Sequence, residues 1–136
     1  MSRARLLRIL ALLVCVIAVL HIAATVFYLY WEFWWYDMLL HFLGGVFIGL
    51  LVLWLRFLSG YVSVPASFSA RHAFLFTLCW LLVIGIGWEV FEQLIGITWS
   101  LEGYWVDTSI DVALDLVGGT AAFLFFNGRY VNGHGV

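Results

Sequence analysis

DMLLHFLGGVFIGL, residues 37–50, recurs without a gap as DVALDLVGGTAAFL at residues 111–124. Both segments follow the pattern D-x-x-L-[HD]-x-x-G-G-x-x-x-x-L, in which ionisable residues occupy only the first half. Repeated halves of this kind are typical of polytopic membrane proteins. If both segments cross a membrane in the same direction, the halves are related by an axis along the membrane normal. The repeat therefore predicts an all-α bundle of two helical hairpins with pseudo-twofold symmetry.

The composition places the chain in a lipid bilayer. Of its 136 residues, 65% are hydrophobic and only 10% are charged, whereas a soluble domain carries about 25% charged residues. Four apolar stretches are near the roughly 20 residues that cross the hydrocarbon core: residues 6–30, 38–58, 73–97 and 108–126. They leave no room for a soluble domain, so we predict one integral membrane domain over residues 1–136, with the bilayer and no nucleic acid as its partner.

The first span is predicted to be a membrane anchor. It begins after basic residues, as a signal peptide does, but its apolar stretch of residues 6–30 exceeds the roughly 7–15 residues of a signal-peptide core. We therefore expect this helix to remain part of the bundle.

The basic residues predict the orientation in the membrane. All six are arginines, at positions 3, 5, 8, 56, 71 and 129. Because basic residues concentrate in cytoplasmic loops, both termini and the connection 59–72 are predicted to lie in the cytoplasm. Loops 31–37 and 98–109 contain neither Lys nor Arg, and are predicted to face outward. The connection 59–72 contains the only proline and four serines, which favours a flexible linker between the hairpins.

Polar residues of three spans are predicted to meet at one depth in the outward half. They are Asp37 and His41 on span two, Glu89 and Glu92 on span three, and Asp111 and Asp115 on span four. Spacings of three or four residues place each pair on one helical face. At about 1.5 Å per residue, Glu89 and Asp115 lie roughly 12 and 10 Å from the outward ends of their spans.

These acidic residues need a compensating interaction. A charged residue at the bilayer centre costs roughly 2.5–3.5 kcal/mol, so four acids would cost about 10–14 kcal/mol as an upper bound. No Arg or Lys is predicted on this side, which leaves a bound cation, protonated carboxyl groups or a water-filled cavity. We favour a divalent metal. Its predicted ligands are His41, Glu89, Glu92, Asp111 and Asp115. Oxygen donors suit Mg, Ca or Mn and the histidine admits Zn or Fe, so the identity of the metal stays open.

Several of these residues also have structural interpretations. Asp37 and Asp107 are candidate catalytic bases, but either residue could cap the start of its helix. Thr108, three residues before Asp111, resembles a capping box. His41 and Asp115 could form a direct pair that holds two helices together. Glu89 and Glu92 would be interfacial if span three ended near residue 88. His21 is either a second nitrogen ligand or a hydrogen-bonding bridge between helices.

Three motifs, YDMLLHFLGG at 36–45, WEVFEQ at 88–93 and DTSIDVALDLVGG at 107–119, resemble the YjdF-like family of bacterial and archaeal inner-membrane proteins. That family shows Asp-x-x-x-His, Glu-x-x-Glu and Asp-Thr-x-x-Asp-x-x-x-Asp motifs in the same order. The resemblance implies a plasma-membrane location but no particular reaction. The chain is more weakly similar to VanZ-like proteins, associated with glycopeptide resistance, through its Asp-x-x-x-His-Phe opening and a late Asp-x-x-x-Asp-x-x-Gly helix.

Three classes of function remain compatible with this pattern. The first is a metal-dependent enzyme that acts at the outer leaflet on a lipid-linked or headgroup substrate. The second is a proton- or cation-coupled transporter, which would need a cavity between the subunits of a homo-oligomer because the inward halves of the spans contain few polar residues, among them Thr77. The third is a non-catalytic membrane component that binds a metal or a partner.

Overall fold

The computed structural model describes residues 2–62, 69–96 and 103–130. These residues form five helices: α1 (Arg3–Val26), α2 (Leu29–Glu32), α3 (Tyr36–Phe57), α4 (Ala70–Ile95) and α5 (Tyr104–Tyr130). The described part of the chain contains no strand. Helices α1, α3, α4 and α5 are long and apolar enough to cross a membrane. The prediction of an all-α bundle with four transmembrane helices is confirmed.

Several helix boundaries differ from those predicted by hydropathy: α1 and α4 begin earlier, at Arg3 and Ala70, and α5 extends to Tyr130. Two further differences lie beside left-handed backbone positions. Helix α1 ends at Val26 rather than near residue 30, because Tyr28 adopts a left-handed backbone conformation with φ 57° that interrupts the helix. The short helix α2 follows this break. Helix α5 begins at Tyr104 rather than residue 108, directly after Gly103, whose φ is +95°. The predicted outward loop 98–109 is therefore helical from Tyr104 onward.

Parts of the two predicted connections lie outside the described residues. Residues 63–68 belong to the predicted linker 59–72, residue 97 to the predicted end of span three, and residues 98–102 to the predicted outward loop 98–109. The described ends of these connections contain helix caps. The hydroxyl of Ser69 accepts a hydrogen bond from the backbone N–H of His72 at the start of α4, and Gly96 adopts a left-handed conformation with φ +73° at its end. These caps fix where α4 begins and ends.

The helices that carry the repeat lie at the centre of the bundle. Helices α3 and α5 make the most extensive contact in the molecule, α1 packs on α3, and α4 packs on α5 and to a lesser extent on α3. Helices α1 and α4 lie on opposite sides and do not pack on each other. Each hairpin thus places its repeat-bearing helix inward, in the pseudo-twofold arrangement predicted from the sequence.

Glycines allow α3 and α5 to approach closely. A Cβ atom at Gly45 would overlap the backbone of Asp115, and one at Gly118 would overlap the backbone of Phe42. Small residues at such crossings let helix backbones come together in membrane proteins. This crossing fixes the rotation and register of the two central helices, and so determines which side chains of α3 and α5 can meet.

The two ends of the bundle differ in chemistry. We call the end with the start of α1 and the end of α3 the arginine end. Its buried hydrophobic core comprises Leu6, Leu10, Leu50, Leu53, Trp54, Ala73, Ala122, Phe123 and Phe126. The guanidinium carbon of Arg3 lies 5.7 Å from the Trp54 ring centroid, and that of Arg129 lies 4.8 Å from the Phe125 ring centroid. The arginines thus cover aromatic rings at this end, whereas the acidic residues lie at the opposite end.

Candidate metal centre

Five carboxylate side chains from three helices converge on one histidine. We call this group the His41 cluster. It comprises Asp37 and His41 of α3, Glu89 and Glu92 of α4, and Asp111 and Asp115 of α5. Four members are buried: His41, Glu89, Asp111 and Asp115. The side chain of Asp37 retains 28% of its accessible surface and Glu92 is partly exposed, so these two residues mark the more open side of the cluster.

The Nε2 atom of His41 faces carboxylate oxygens from three helices. It lies 4.0 Å from Asp37 Oδ2, 3.9 Å from Glu89 Oε1 and 3.9 Å from Asp111 Oδ2. These distances exceed the roughly 2.7–3.2 Å of a hydrogen bond. They match the separation of two atoms that bind the same ion, which is roughly 3.0–4.4 Å for metal–ligand bonds of about 2.0–2.2 Å. The spacing therefore fits atoms that share a metal ion.

Two groups of potential ligand atoms within the cluster are mutually close. The first comprises Asp37, His41 and Asp111, and the second comprises His41, Glu89 and Glu92; within each group the ligand atoms lie within 4.8 Å of one another. The sequence analysis predicted that these residues would meet at one depth, and the structure brings them together. Their roles as metal ligands remain a prediction.

Asp115 approaches the other nitrogen of the histidine ring. Its Oδ1 atom lies 3.6 Å from His41 Nδ1. A Cβ atom at Gly85 would lie only 2.7 Å from Asp115 Oδ2, and one at Gly44 would lie 3.9 Å from Oδ1. The direct pairing of His41 with Asp115, which the sequence analysis left open, is therefore observed as a contact. The only signal of this role for Gly85 in the sequence is its position one helical turn before Glu89, which places it on the face of α4 that meets the cluster.

A hydrogen bond from α5 orients Glu89. The Thr108 hydroxyl donates to Glu89 Oε2 at 2.8 Å, while Oε1 is buried and has no hydrogen-bond partner in the described part of the chain. An unsatisfied buried carboxylate oxygen is costly, and a cation is one partner that would satisfy it. The predicted capping role of Thr108 is wrong, because α5 begins four residues earlier and the side chain bonds to α4.

The two candidate bases lie in the first turns of their helices. Asp37 is not the N-cap of α3, since that position is Trp35, and its carboxylate belongs to the His41 cluster. Asp107 lies in the first turn of α5, is partly buried, and precedes Asp111 by one helical turn. Both residues are near the end of the bundle that carries the cluster, and their catalytic roles remain a prediction.

His21 forms a separate interaction at the same end of the molecule. Its Nδ1 atom lies 2.7 Å from the Tyr30 hydroxyl oxygen, and the Tyr30 ring packs edge-on against Tyr36, with ring centroids 5.8 Å apart. Burial, with smaller contributions from the charges of Asp37 and Glu92, raises the pKa of Tyr30 above its ordinary value. His21 thus links α1 to α2, the bridging role that the sequence analysis gave as the alternative to metal binding.

The cluster contains five carboxyl groups and one imidazole. The six arginines lie in the first turns of α1, in the last turn of α3, in the first turn of α4 and in the last turn of α5. These positions are at the opposite end of the bundle, so no arginine of the chain lies beside the acids. The carboxylates of the His41 cluster therefore lack a neighbouring arginine, and a bound cation would supply the compensating positive charge.

The family model of the Predicted membrane protein family (DUF2238) matches residues 1–132. The chain belongs to this DUF2238 family. The YjdF-like resemblance agrees with this membership, since YjdF is itself a DUF2238 protein, whereas nothing supports the similarity to VanZ-like proteins. No curated protein and no solved structure matches the chain. Membership of the DUF2238 family supports a membrane location. It specifies no reaction, so the function is argued from the residues of the site.

Proposed function

We propose that this DUF2238 protein binds a divalent metal at the His41 cluster and acts as a membrane enzyme on a lipid headgroup or lipid-linked substrate. One observation carries the proposal. His41 Nε2 lies within 4.0 Å of carboxylate oxygens from three helices, and one of these oxygens, Glu89 Oε1, is buried and accepts no hydrogen bond from the described residues. Three helices would otherwise hold like charges together without compensation.

The donor set supports a first-row transition metal. Carboxylate oxygens alone suit Mg or Ca, whereas a histidine nitrogen among the donors favours Mn, Fe or Zn. His41 Nε2 lies within 4.0 Å of carboxylate oxygens of Asp37, Glu89 and Asp111, and Glu92 forms a group of close ligand atoms with His41 and Glu89. We therefore propose Mn, Fe or Zn as the bound ion, with Glu92 as a further ligand.

The reaction class follows from the chemistry of such a centre. A divalent ion supplies a Lewis acid that polarises a phosphoryl or acyl oxygen and lowers the pKa of water. The residues on the more open side of the cluster would act as the general base. Asp37 is the most exposed of the carboxylates that lie within 4.0 Å of His41, and Asp107 lies one turn from Asp111; one of them would accept a proton from the attacking nucleophile.

The bilayer gives such a site an orientation. The arginine end would face the cytoplasm under the positive-inside rule, and the His41 cluster would then lie in the outer half of the plasma membrane. Exposed aromatic side chains near the cluster support this placement, because such rings prefer the headgroup level. They are Tyr28, Trp31, Trp34 and Trp35. A headgroup at this level would reach the open side of the cluster without crossing the hydrocarbon core.

Packing below the cluster favours an enzyme over a transporter. A Cβ atom at Gly119 would overlap the side chain of Leu81, and Leu81 and Leu53 are fully buried. The only polar side chain of α4 in this region, Thr77, is fully buried and donates its hydroxyl to the Ala73 carbonyl. Thr120 of α5 likewise donates its hydroxyl to the Leu116 carbonyl of its own helix. The described helices thus place no charged side chain between the cluster and the arginine end, as expected for a site that opens to one side of the membrane.

The experiment compares bound metal in variants of the detergent-purified protein. Wild type, His41→Ala and His21→Ala would be purified identically without chelator, incubated with Mn²⁺ or Zn²⁺, desalted and measured by inductively coupled plasma mass spectrometry. We expect about one metal ion per chain in wild type and in His21→Ala, and none above background in His41→Ala. His21 is the matched control because it is hydrogen-bonded to Tyr30 rather than placed in the cluster. A wild type without metal would contradict the proposal.

The catalytic part needs a separate measurement. Metal-loaded protein in vesicles of defined phospholipids would be assayed for release of headgroups or phosphate, with Glu92→Gln and metal-free wild type in parallel. We expect release that depends on the metal and is lost in the variant. A fully loaded wild type that releases nothing from any vesicle would favour the non-catalytic function.

A further inference from the structure

We propose that Asp115 is a positioning residue for His41 rather than a metal ligand. Its Oδ1 atom lies 3.6 Å from His41 Nδ1, beyond hydrogen-bond distance, and its carboxylate would accept a hydrogen bond from Nδ1–H once Nε2 binds the ion beside Asp37, Glu89 and Asp111. This inference rests on the proposed metal centre and assigns separate tasks to residues that the sequence analysis had grouped together as ligands.

The two ring nitrogens of His41 have different neighbours. Three carboxylates lie within 4.0 Å of Nε2, whereas the contact with Asp115 is made through Nδ1, at 3.6 Å. These nitrogens lie on different edges of the imidazole ring and cannot both direct their lone pairs to one ion. Neither group of mutually close ligand atoms contains Asp115. The geometry therefore separates Asp115 from the carboxylates that surround Nε2.

The carboxylate of Asp115 is held on the Nδ1 side by backbone. Its residue is only 5% exposed. Asp115 Oδ2 lies against Gly85 of α4, and its backbone lies against Gly45 of α3 at the helix crossing. Because Gly85 and Gly45 have no side chains, Asp115 occupies space that a larger residue at either glycine position would fill. A carboxylate enclosed in this way can hold an imidazole in one orientation.

Such an arrangement has a chemical consequence. A histidine that binds a metal through one nitrogen donates the N–H of the other to a carboxylate or carbonyl, which fixes the tautomer and makes the ligand more basic. Loss of the outer partner lowers metal affinity by roughly 10- to 100-fold, whereas loss of a direct ligand removes a bond to the metal. The two roles therefore predict different results for the same substitution.

The test compares Asp115→Asn with Asp111→Asn. An asparagine oxygen can still accept the Nδ1–H bond but is a poor replacement for a metal-binding carboxylate. We expect Asp115→Asn to retain one metal ion per chain with affinity about 10- to 100-fold below wild type, and Asp111→Asn to lose stoichiometric binding. Affinities would be measured by competition with a chelator, using Zn²⁺, and the fold by thermal melting in detergent.

Two glycine variants provide an independent test. Gly85→Ala displaces Asp115 Oδ2, since its Cβ would lie 2.7 Å from that atom, whereas a Cβ at Gly87 on the same helix meets nothing within 4 Å. We expect Gly85→Ala to weaken Zn²⁺ binding as Asp115→Asn does, and Gly87→Ala to bind like wild type. This pair keeps the proposal testable if an Asp115 variant fails to fold.

A spectroscopic measurement reports the hydrogen bond itself. In Zn²⁺-loaded protein labelled with ¹⁵N-histidine, we expect a downfield Nδ1–H resonance from His41 in wild type and Asp115→Asn, and its loss in Asp115→Leu. Equal loss of metal from Asp115→Asn and Asp111→Asn would overturn the positioning role while leaving the metal centre intact. Two metal ions per chain in wild type and one in Asp115→Asn would also overturn the positioning role, because Asp115 would then be a ligand of the second ion. A wild type that binds no metal would overturn both proposals.

Discussion

The two copies of the repeat occupy equivalent places in the bundle but have diverged at the position that matters most for the site. The fifth residue of the repeat is His41 in α3 and Asp115 in α5, and the two side chains meet with Nδ1 and Oδ1 3.6 Å apart. The first residue is aspartate in both copies, Asp37 and Asp111, and both face His41 Nε2. The two copies thus share one backbone arrangement. The difference at the fifth position places a histidine opposite an aspartate, where identical copies would place two identical residues.

The glycine pairs show a second difference between the copies. Gly44 and Gly118 are equivalent in the repeat. A Cβ atom at Gly44 would meet only Asp115 Oδ1, at the ordinary distance of 3.9 Å, whereas one at Gly118 would overlap the backbone of Phe42. The same sequence signal therefore marks an obligatory glycine in α5 and a more tolerant one in α3.

The largest effect is expected when the copies are made identical at the fifth position. His41→Asp would remove the only nitrogen of the cluster and add a sixth carboxylate. We expect stoichiometric metal binding to be lost and the free energy of unfolding to fall by about 3–5 kcal/mol, as when one partner of a buried charged network is removed. Bound metal and thermal melting in detergent would measure the two effects.

The control for this variant is His72→Asp, which makes the same replacement at an exposed histidine near the start of α4. It should leave metal content unchanged. Full metal occupancy in His41→Asp would show that the difference between the two repeats is unimportant for the site.

A smaller effect is expected from the equivalent glycines. Gly118→Ala should lower the free energy of unfolding by at least about 1–3 kcal/mol, because the added methyl group must displace the backbone of α3. Gly44→Ala should change it by less than about 1 kcal/mol, because the methyl group makes an ordinary contact and alanine favours the helix. Melting of both variants in one detergent would compare them directly, and equal stabilities would contradict the asymmetry of the crossing.

The smallest effect is expected at the residue that orients Glu89. Thr108→Val keeps the shape of the side chain but removes the hydroxyl that donates to Glu89 Oε2. We expect metal affinity to fall by about tenfold, the lower limit for an outer partner of a ligand. Chelator competition would measure this change. Ser109→Ala is the control, since Ser109 donates to the Trp105 carbonyl of its own helix and should not affect affinity; a similar loss in both variants would assign the effect to α5 stability.

The spans and the depth of the acids could be predicted from the sequence because both depend on local quantities. Apolar length determines a span, and the rise per residue places Glu89 and Asp115 at the same level. The break at Tyr28 could not be predicted in this way, since a tyrosine with φ 57° carries no glycine or proline signal.

The finer geometry of the site depends on how helices cross. Spacing on α5 placed Asp115 beside Asp111, but only the close packing of α3 on α5 shows that Asp115 faces Nδ1 rather than Nε2 of His41. The same holds for the Gly85 contact, which depends on the rotation of α4. Motifs within one helix could therefore identify the candidate ligands. Which of them faces Nε2 and which faces Nδ1 of His41 depends on the packing of the helices against one another.

The pairing of unlike residues across the repeat also bears on how such a protein could originate. A dimer of two identical hairpins would bring two histidines or two aspartates together at the crossing, because each subunit must supply the same residue. Once two copies of the hairpin are joined in one polypeptide, each copy can mutate alone. Gene duplication and fusion thus give access to an asymmetric centre that a symmetric ancestor could not encode.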